Sequence, residues 1–234
     1  MTALDPRVAD GMRAQLASRA ARLQAGERQL GWKVGFGSPA ALERLGIDRP
    51  LVGFLTDAGL LAEGAEVPVG DWTAPMLEAE IAVRLGTDVP GNATWDSVHA
   101  AVDGLAAAIE LADLHPPPAD VRQILAGNVF HRHVLLGRFD TGRRDATGVT
   151  ARLLRDGEEI AATRDPAAAT GDVVEVVRLT AEVLAGCGET LRAGEVVITG
   201  AVVPPVAVAS GERYRAELPP LGALEVALSG TMSA

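Results

Sequence analysis

The sequence predicts an α+β fold built on one large, mostly antiparallel, curved sheet. Three observations point there. From Gly194 onward the chain reads "GEVVITGAVVPPVAVASGERYRAELPPLGALEVALSG", short β-branched runs broken repeatedly by Gly and Pro. Helical periodicity is confined to a few separated segments, so strands outnumber helices. Finally, 234 residues with 48% apolar and 22% charged composition can bury a sizeable core, and no repeat or linker divides them. Aromatic residues make up only 3%, so Ala, Val, Leu and Ile must fill that core.

Element by element, residues 6–30 place Val8, Met12, Leu16, Ala20 and Leu23 at helical spacing, a surface helix with an Arg-rich outer side. "LGWKVGFGSP" is a short strand running into a Gly-rich turn. "SPAALERLGI" is a short helix with Ser38 as N-cap and Pro39 at its first position. Residues 51–70 hold short strands with turns at Asp57-Ala58-Gly59 and near Gly64, and "PMLEAEIAVRLG" (75–86) is a longer strand. "TWDSVHAAVDGLAAAIELADL" starts helical near Thr94 and becomes strand-like around Ile109. The triple proline of "LHPPPADVRQILAGNVFHRHVLLG" signals a loop, followed by a short helix and the strand "HVLLG". A helix fits 172–185, with Asp172 as cap, Glu175 completing a capping box and Gly186 ending it.

Composition excludes some functions. A net charge of −10, spread along the chain, argues against a nucleic-acid partner. No apolar run reaches membrane-spanning length, and the N-terminal stretch lacks the apolar centre of a secretory signal. Cys187 is the single cysteine, which forbids an internal disulfide and fits a reducing, cytoplasmic setting. Of 21 Lys and Arg residues, Lys33 alone is lysine. Codon bias explains the arginines but not this exception. A buried lysine can release a proton where arginine cannot, so Lys33 is a candidate for amine chemistry.

Side chains alternate along 75–86, which sets Glu78 and Glu80 on one face with Met76, Ala82 and Arg84. On a solvated face the pair costs little. Met76 and Ala82 suggest enclosure, and two enclosed carboxylates need a cation between them. Glu110, within the apolar "AAIELADL", must likewise be paired or bind metal, and Asp113 follows it. An oxygen-only donor set suits Mg²⁺ or Mn²⁺ rather than Zn²⁺. His131 and His133 can share a face and act as base or carboxylate contact, or be surface histidines beside Arg132. His99 and Tyr214 read as structural. Gly35-Phe36-Gly37-Ser38 lacks the lysine position of a phosphate-binding loop.

"GWKVGFGS", "EAEIAVRLG", "AIELAD" and "GEVVITG" occur in the order and approximate spacing of the fumarylacetoacetate hydrolase superfamily, and most resemble its 2-keto-4-pentenoate hydratase and 4-oxalocrotonate decarboxylase branch. The resemblance covers roughly residues 30 to 228. It implies a mixed, mostly antiparallel β-roll or barrel with peripheral helices, formed by a catalytic domain at 31–234 behind a helical segment at 1–30. It implies that Glu78, Glu80 and Glu110 bind Mg²⁺ or Mn²⁺, that Lys33 and Ser38 are catalytic, and that Asn128 matches the family's substrate loop; Asp113 is a further catalytic candidate, Thr199 a further substrate contact, and Phe130, His131 and Arg132, where the family pattern breaks, are expected to line the substrate cavity. The implied activity is a metal-dependent lyase of 2-oxo or 2-hydroxy-dienoic acids, in a cytoplasmic homo-oligomer. An acylpyruvate-type C–C hydrolase, or a non-catalytic partner subunit or binding protein, are the alternatives. The chain departs from the family at Asp113-Leu114-His115, where Asp-Ser-Arg is usual, and at Gly127–Arg132, where a Ser- and Gly-containing loop is replaced.

Overall fold

The computed structural model describes residues 4–230. Helix α1 (Pro6–Gln24) leads into strand β1 (Gln29–Gly35) and helix α2 (Pro39–Leu45). Strands β2 (Leu51–Thr56), β3 (Leu60–Leu61), β4 (Glu66–Pro68) and β5 (Pro75–Leu85) follow, then α3 (Trp95–Ala101), β6 (Val102–Asp113) and α4 (Val121–Ala126). Strand β7 (His131–Leu136) precedes a hairpin of β8 (Ala151–Arg155) and β9 (Glu158–Thr163). Helices α5 (Ala167–Thr170) and α6 (Val173–Gly186) lead to β10 (Val196–Ala201), β11 (Val206–Ala207), β12 (Arg213–Glu217) and β13 (Ala223–Ser229).

Two sheets result. The larger runs β2-β1-β10-β5-β6-β7-β3, with β11 added beside β5. Only its β1–β10 and β3–β7 pairings are parallel. It curls into a half-barrel, as the sequence led one to expect. The smaller sheet runs β4-β13-β12-β8-β9. Leu77, Ala79, Ile81, Val83 and Leu85 of β5 share one core with Tyr214, Leu224 and Val226 of the second sheet and Val177 and Leu184 of α6. The opposite face of β5 and its neighbours carries a smaller cluster of Leu55, Ala82, Ala106, Ala108, Val134, Val196 and Ile198. That face also carries Glu78 and Glu80, the alternation expected of a strand buried on both sides. None of the described helices is long and apolar enough to cross a membrane.

Four boundaries differ from the sequence expectation. Helix α1 stops at Gln24, and β1 already begins at Gln29, because Gln29 and Gly31 pair with β2 rather than continuing the helix. Strand character begins at Val102, not Ile109. The Ala-rich run Gly104–Ala108 has helical propensity, but it is paired to β5 along its length, and tertiary pairing overrides local preference. Strand β7 begins at His131, two residues before "HVLLG", which adds His131 to the sheet beside His133. Helix α6 runs through Gly186. Its left-handed terminator is Gly188 (φ 80°), with Glu189 N–H bonded to Leu184 O and Gly188 N–H to Ala185 O. The β8–β9 hairpin turns on Asp156-Gly157, both at positive φ, a signal legible in the sequence as "RDGE".

Candidate metal and substrate site

The site grows from one register. Strands β5 and β6 pair antiparallel so that Glu78 lies directly opposite Glu110, with Glu80 two residues along the same face. One ligand atom from each of the three carboxylates can be chosen so that all lie within 4.8 Å of one another. Each buried glutamate has one oxygen held by the protein and one left over. Glu110 Oε1 accepts from Lys33 Nζ (2.5 Å) and His131 Nδ1 (2.7 Å), while its Oε2 has no partner. Glu80 Oε2 accepts the Gly200 N–H (2.6 Å), while its Oε1 has no partner. Unpartnered buried carboxylate oxygens are costly, and a cation is what relieves them.

Lys33 reaches this face because β1 pairs with β10, setting Lys33 beside Ile198, which in turn lies opposite Ala82. Its side chain is 4% exposed. Gly53, opposite it on β2, leaves the space: a Cβ there would stand 2.8 Å from Lys33 Cγ. Lys33 Nζ also donates to the Val129 carbonyl at 3.1 Å. That carbonyl is aimed by an unusual turn, in which Asn128, Val129 and Phe130 have φ of 54°, 51° and 64°. Left-handed geometry is disfavoured for residues with a Cβ, most of all a β-branched valine. Asn128 holds the turn, its Oδ1 accepting the Phe54 N–H (2.8 Å) and its Nδ2 donating to the Phe54 carbonyl (3.0 Å). Gly200, at φ 96°, is another position that needs glycine; there the backbone turns its N–H onto Glu80.

The electrostatics follow from burial without a counter-ion. Burial pushes the Glu78 carboxyl up to about 7, aided by the Glu110 charge and opposed by Lys33. Burial, with Glu110 and Glu78 beside it, raises Glu80 well above the carboxylate range. Burial also acts upward on Glu110, but the Lys33 ammonium and His131 more than reverse it. For Lys33, burial acts downward and the three glutamates outweigh it, so the amine stays charged. Burial lowers His131, leaving a neutral ring whose Nδ1–H donates to the acceptor-only Glu110. With all three carboxylates ionised, as a bound cation would hold them, they and the Lys33 ammonium sum to −2, the charge that a divalent cation neutralises. The donor set is all oxygen and fits such an ion.

A cavity of about 590 Å³ opens beside this cluster. Lys33, Ser38, Glu78, Phe130 and Thr199 line it, together with Phe36, Met76 and Leu179. Ser38 Oγ also caps α2 by accepting the Ala41 N–H, and Thr199 Oγ1 donates to the Ile81 carbonyl (3.0 Å). The remaining sequence candidates are not among the residues that line the cavity. Asn128 is taken up by Phe54, and His131 by Glu110. Asp113 accepts the Thr73 and Ala74 N–H groups and pairs with Arg132, whose guanidinium lies half-exposed over the Trp72 ring. His133 stacks on the same Trp72. Sequence reasoning did not single out the Val129 carbonyl, the Gly200 N–H or Phe36. The glycine closing "VVITG" was the one available hint, since backbone groups leave little other trace in side-chain patterns.

Residues 32–229 match the family described as Fumarylacetoacetate (FAA) hydrolase C-terminal. A 2-keto-4-pentenoate hydratase of Burkholderia vietnamiensis is 33% identical over 204 residues, covering 85% of this chain and 78% of its own length. A 4-oxalocrotonate decarboxylase of a Pseudomonas species is 29% identical over 211 residues, covering 89% and 82%. The 4-oxalocrotonate decarboxylase structure from Pseudomonas putida G7, complexed with magnesium and adipate, superposes with a TM-score of 0.88 at 26% identity, covering 94% of this chain and 86% of that one. A fumarylpyruvate hydrolase from Pseudomonas aeruginosa, in complex with Mn²⁺ and pyruvate, shares the fold at 19% identity, with a TM-score of 0.67 and coverage of 87% and 90%.

Proposed function

The chain belongs to the fumarylacetoacetate hydrolase family, and on that premise we propose that it is a divalent-metal-dependent lyase, a hydratase or decarboxylase of a 2-oxo or 2-hydroxy-dienoic acid. The observation that carries the reading is the clustering of Glu78, Glu80 and Glu110, with Glu78 on the cavity wall and one buried oxygen each of Glu80 and Glu110 left without a partner. Glu78, Glu80 and Glu110 hold the ion, Mg²⁺ or Mn²⁺ by its all-oxygen donor set. A divalent cation there supplies Lewis-acid stabilisation of the negative charge that develops on a 2-oxo oxygen.

The chain's own residues do the rest. Of the three donors of the Lys33 ammonium, two are held by Glu110 and the Val129 carbonyl. The third is free to deliver a proton from Nζ to a substrate carbon, or to hold it near developing charge. The Ser38 and Thr199 hydroxyls and the Phe130 ring line the cavity within which the acid is oriented. His131, Asp113 with Arg132, and Asn128 act one layer out, fixing Glu110, the β5–β6 end and the Val129 carbonyl in that order. In this reading residues 31–234 form the catalytic domain, and 1–30 a helical segment braced on it by Gln15, which donates to the Val52 and Leu125 carbonyls. A cytoplasmic homo-oligomer completes the proposal, and sedimentation analysis checks the assembly.

Three substrates separate the outcomes: 2-hydroxypentadienoate, 4-oxalocrotonate and an acylpyruvate, each assayed with the EDTA-treated and the Mg²⁺-reconstituted protein. Metal-dependent turnover of either of the first two is expected. Turnover of the acylpyruvate alone would move the chain to the C–C hydrolases. Absence of bound metal by elemental analysis, with no turnover, would make it a non-catalytic member.

A further inference from the structure

The cavity says more about the acid than the metal cluster does. At about 590 Å³ it is the size of pockets that hold drug-sized ligands, roughly 300–1,000 Å³, and larger than a five-carbon acid needs. Four charged residues line it. Lys33 and Glu78 belong to the cluster just described, and Lys33 is already paired with Glu110. Arg44 and Asp48 are both exposed, opposite in sign, and so mark the mouth. The Arg44 guanidinium lies 6.0 Å from the centre of the Phe36 ring, over its face. Apart from these four, the lining is uncharged and mostly apolar: Phe36 and Phe130 meet edge to face at 6.3 Å, Leu42, Leu114, Val176 and Leu179 add to it, and Ser38, Thr170 and Thr199 bring hydroxyls. A second carboxylate against that lining would be buried without a counter-charge.

Resting on the hydratase side of the lyase reading above, we infer that the acid taken by this site carries an uncharged, apolar tail of several carbons beyond its 2-oxo group, and not a second carboxylate. In this respect the chain parts from its decarboxylase neighbour, whose structure holds the dicarboxylate adipate. Phe36 and Phe130 grip the tail, and Leu179 on α6 lines the same cavity. A hydrocarbon tail gains about fourfold in affinity for each methylene buried, so tail length rather than a distal ion pair sets selectivity.

Titration calorimetry on the Mg²⁺-loaded protein tests this with three acids: pyruvate, 2-oxooctanoate and 2-oxoadipate. 2-Oxooctanoate is expected to bind at least about tenfold more tightly than either of the others, since several methylenes are buried. Leu179→Arg installs a cation in the wall and is expected to invert the order, with 2-oxoadipate gaining about tenfold through a charge-assisted pair. A thermal melt of the variant establishes that it folds, and the wild-type comparison stands without it. Equal or tighter binding of 2-oxoadipate by the wild type, lost in Arg44→Ala, would make the mouth arginine a reader of distal carboxylates and overturn the inference. Failure of all three acids, pyruvate included, to bind in the presence of Mg²⁺ overturns the lyase reading itself and this inference with it.

Discussion

Lys33 is the residue on which the chemistry turns. It lies in a slot shaped for a slender side chain, with Gly53 opposite its stem and both Glu110 and the Val129 carbonyl on its head. A guanidinium keeps its charge but cannot yield a proton. Lys33→Arg and Lys33→Met are each expected to fold, to bind metal, and to lose about 100-fold or more in turnover, the scale of one acid–base group. Single-turnover rates beside metal content make the check; turnover of Lys33→Arg within a few-fold of wild type would reduce the lysine to an accident of composition. Glu80 makes the complementary case. Its Oε2 is anchored by Gly200 and its Oε1 is free, so Glu80→Gln keeps the anchor and removes the charge. That variant should lose the Mg²⁺-induced rise in melting temperature while its metal-free melt remains close to wild type or higher, because Gln is neutral without having to take up a proton on burial.

At the scale of elements, the left-handed turn at 128–130 is the costly one. Three consecutive non-glycine residues at positive φ each carry strain of about 1–3 kcal/mol, and such geometry persists only where its surroundings impose it. The two hydrogen bonds from Asn128 to Phe54 are that imposition. Asn128→Ala should therefore cost about 1–3 kcal/mol in stability by denaturant unfolding, since it also leaves the Phe54 N–H and carbonyl unpaired. It should lower kcat more than Mg²⁺ affinity, because the turn aims the Val129 carbonyl at Lys33 while the carboxylates stand on β5 and β6. Equal losses in both would mean that the turn supports the sheet and not the lysine. Helix α6 offers a control remote from the chemistry. Gly188→Ala puts a Cβ on the left-handed residue that ends it, and should cost about 1 kcal/mol with turnover unchanged.

Over the whole molecule, the unbalanced charge of the site couples stability to pH and metal. Glu78 moves from 4.5 to about 7 on folding, so in the metal-free protein its contribution is fully present below 4.5 and is lost as pH rises towards 7. Glu80, raised further, acts in the same sense. Glu110 is lowered, so its contribution is present above its unfolded value of 4.5 and is lost as pH falls through its depressed folded value. The melting temperature of EDTA-treated protein is therefore expected to fall between pH 5 and 7, and the increment gained on adding Mg²⁺ should grow over the same interval as the ligands ionise. Calorimetric scans at pH 5, 6 and 7 with and without Mg²⁺ measure both slopes. A metal increment independent of pH would show that the ion is not held by these carboxylates.

The strand alternation in "PMLEAEIAVRLG" by itself determined that Glu78 and Glu80 share a face, and the apolar neighbours of Glu110 determined that it needs a partner. Both conclusions are local, and each depends on a few adjacent residues. The ordered motifs also reached the fold and the lyase reading, because a family's backbone constrains residues at fixed offsets. What brings Glu78 opposite Glu110 is the β5–β6 register, a long-range choice. Similarly, Lys33 meets Glu110 only because β1, β10, β5 and β6 lie side by side. The loop at 127–132 makes the same point from the other side. Its side chains looked substrate-facing, yet Asn128, His131 and Arg132 are occupied by Phe54, Glu110 and Asp113. Whether a polar side chain serves ligand or scaffold depends on which backbone and charged groups the fold sets beside it. Those neighbours lie tens of residues away in the chain, where no sequence period connects them.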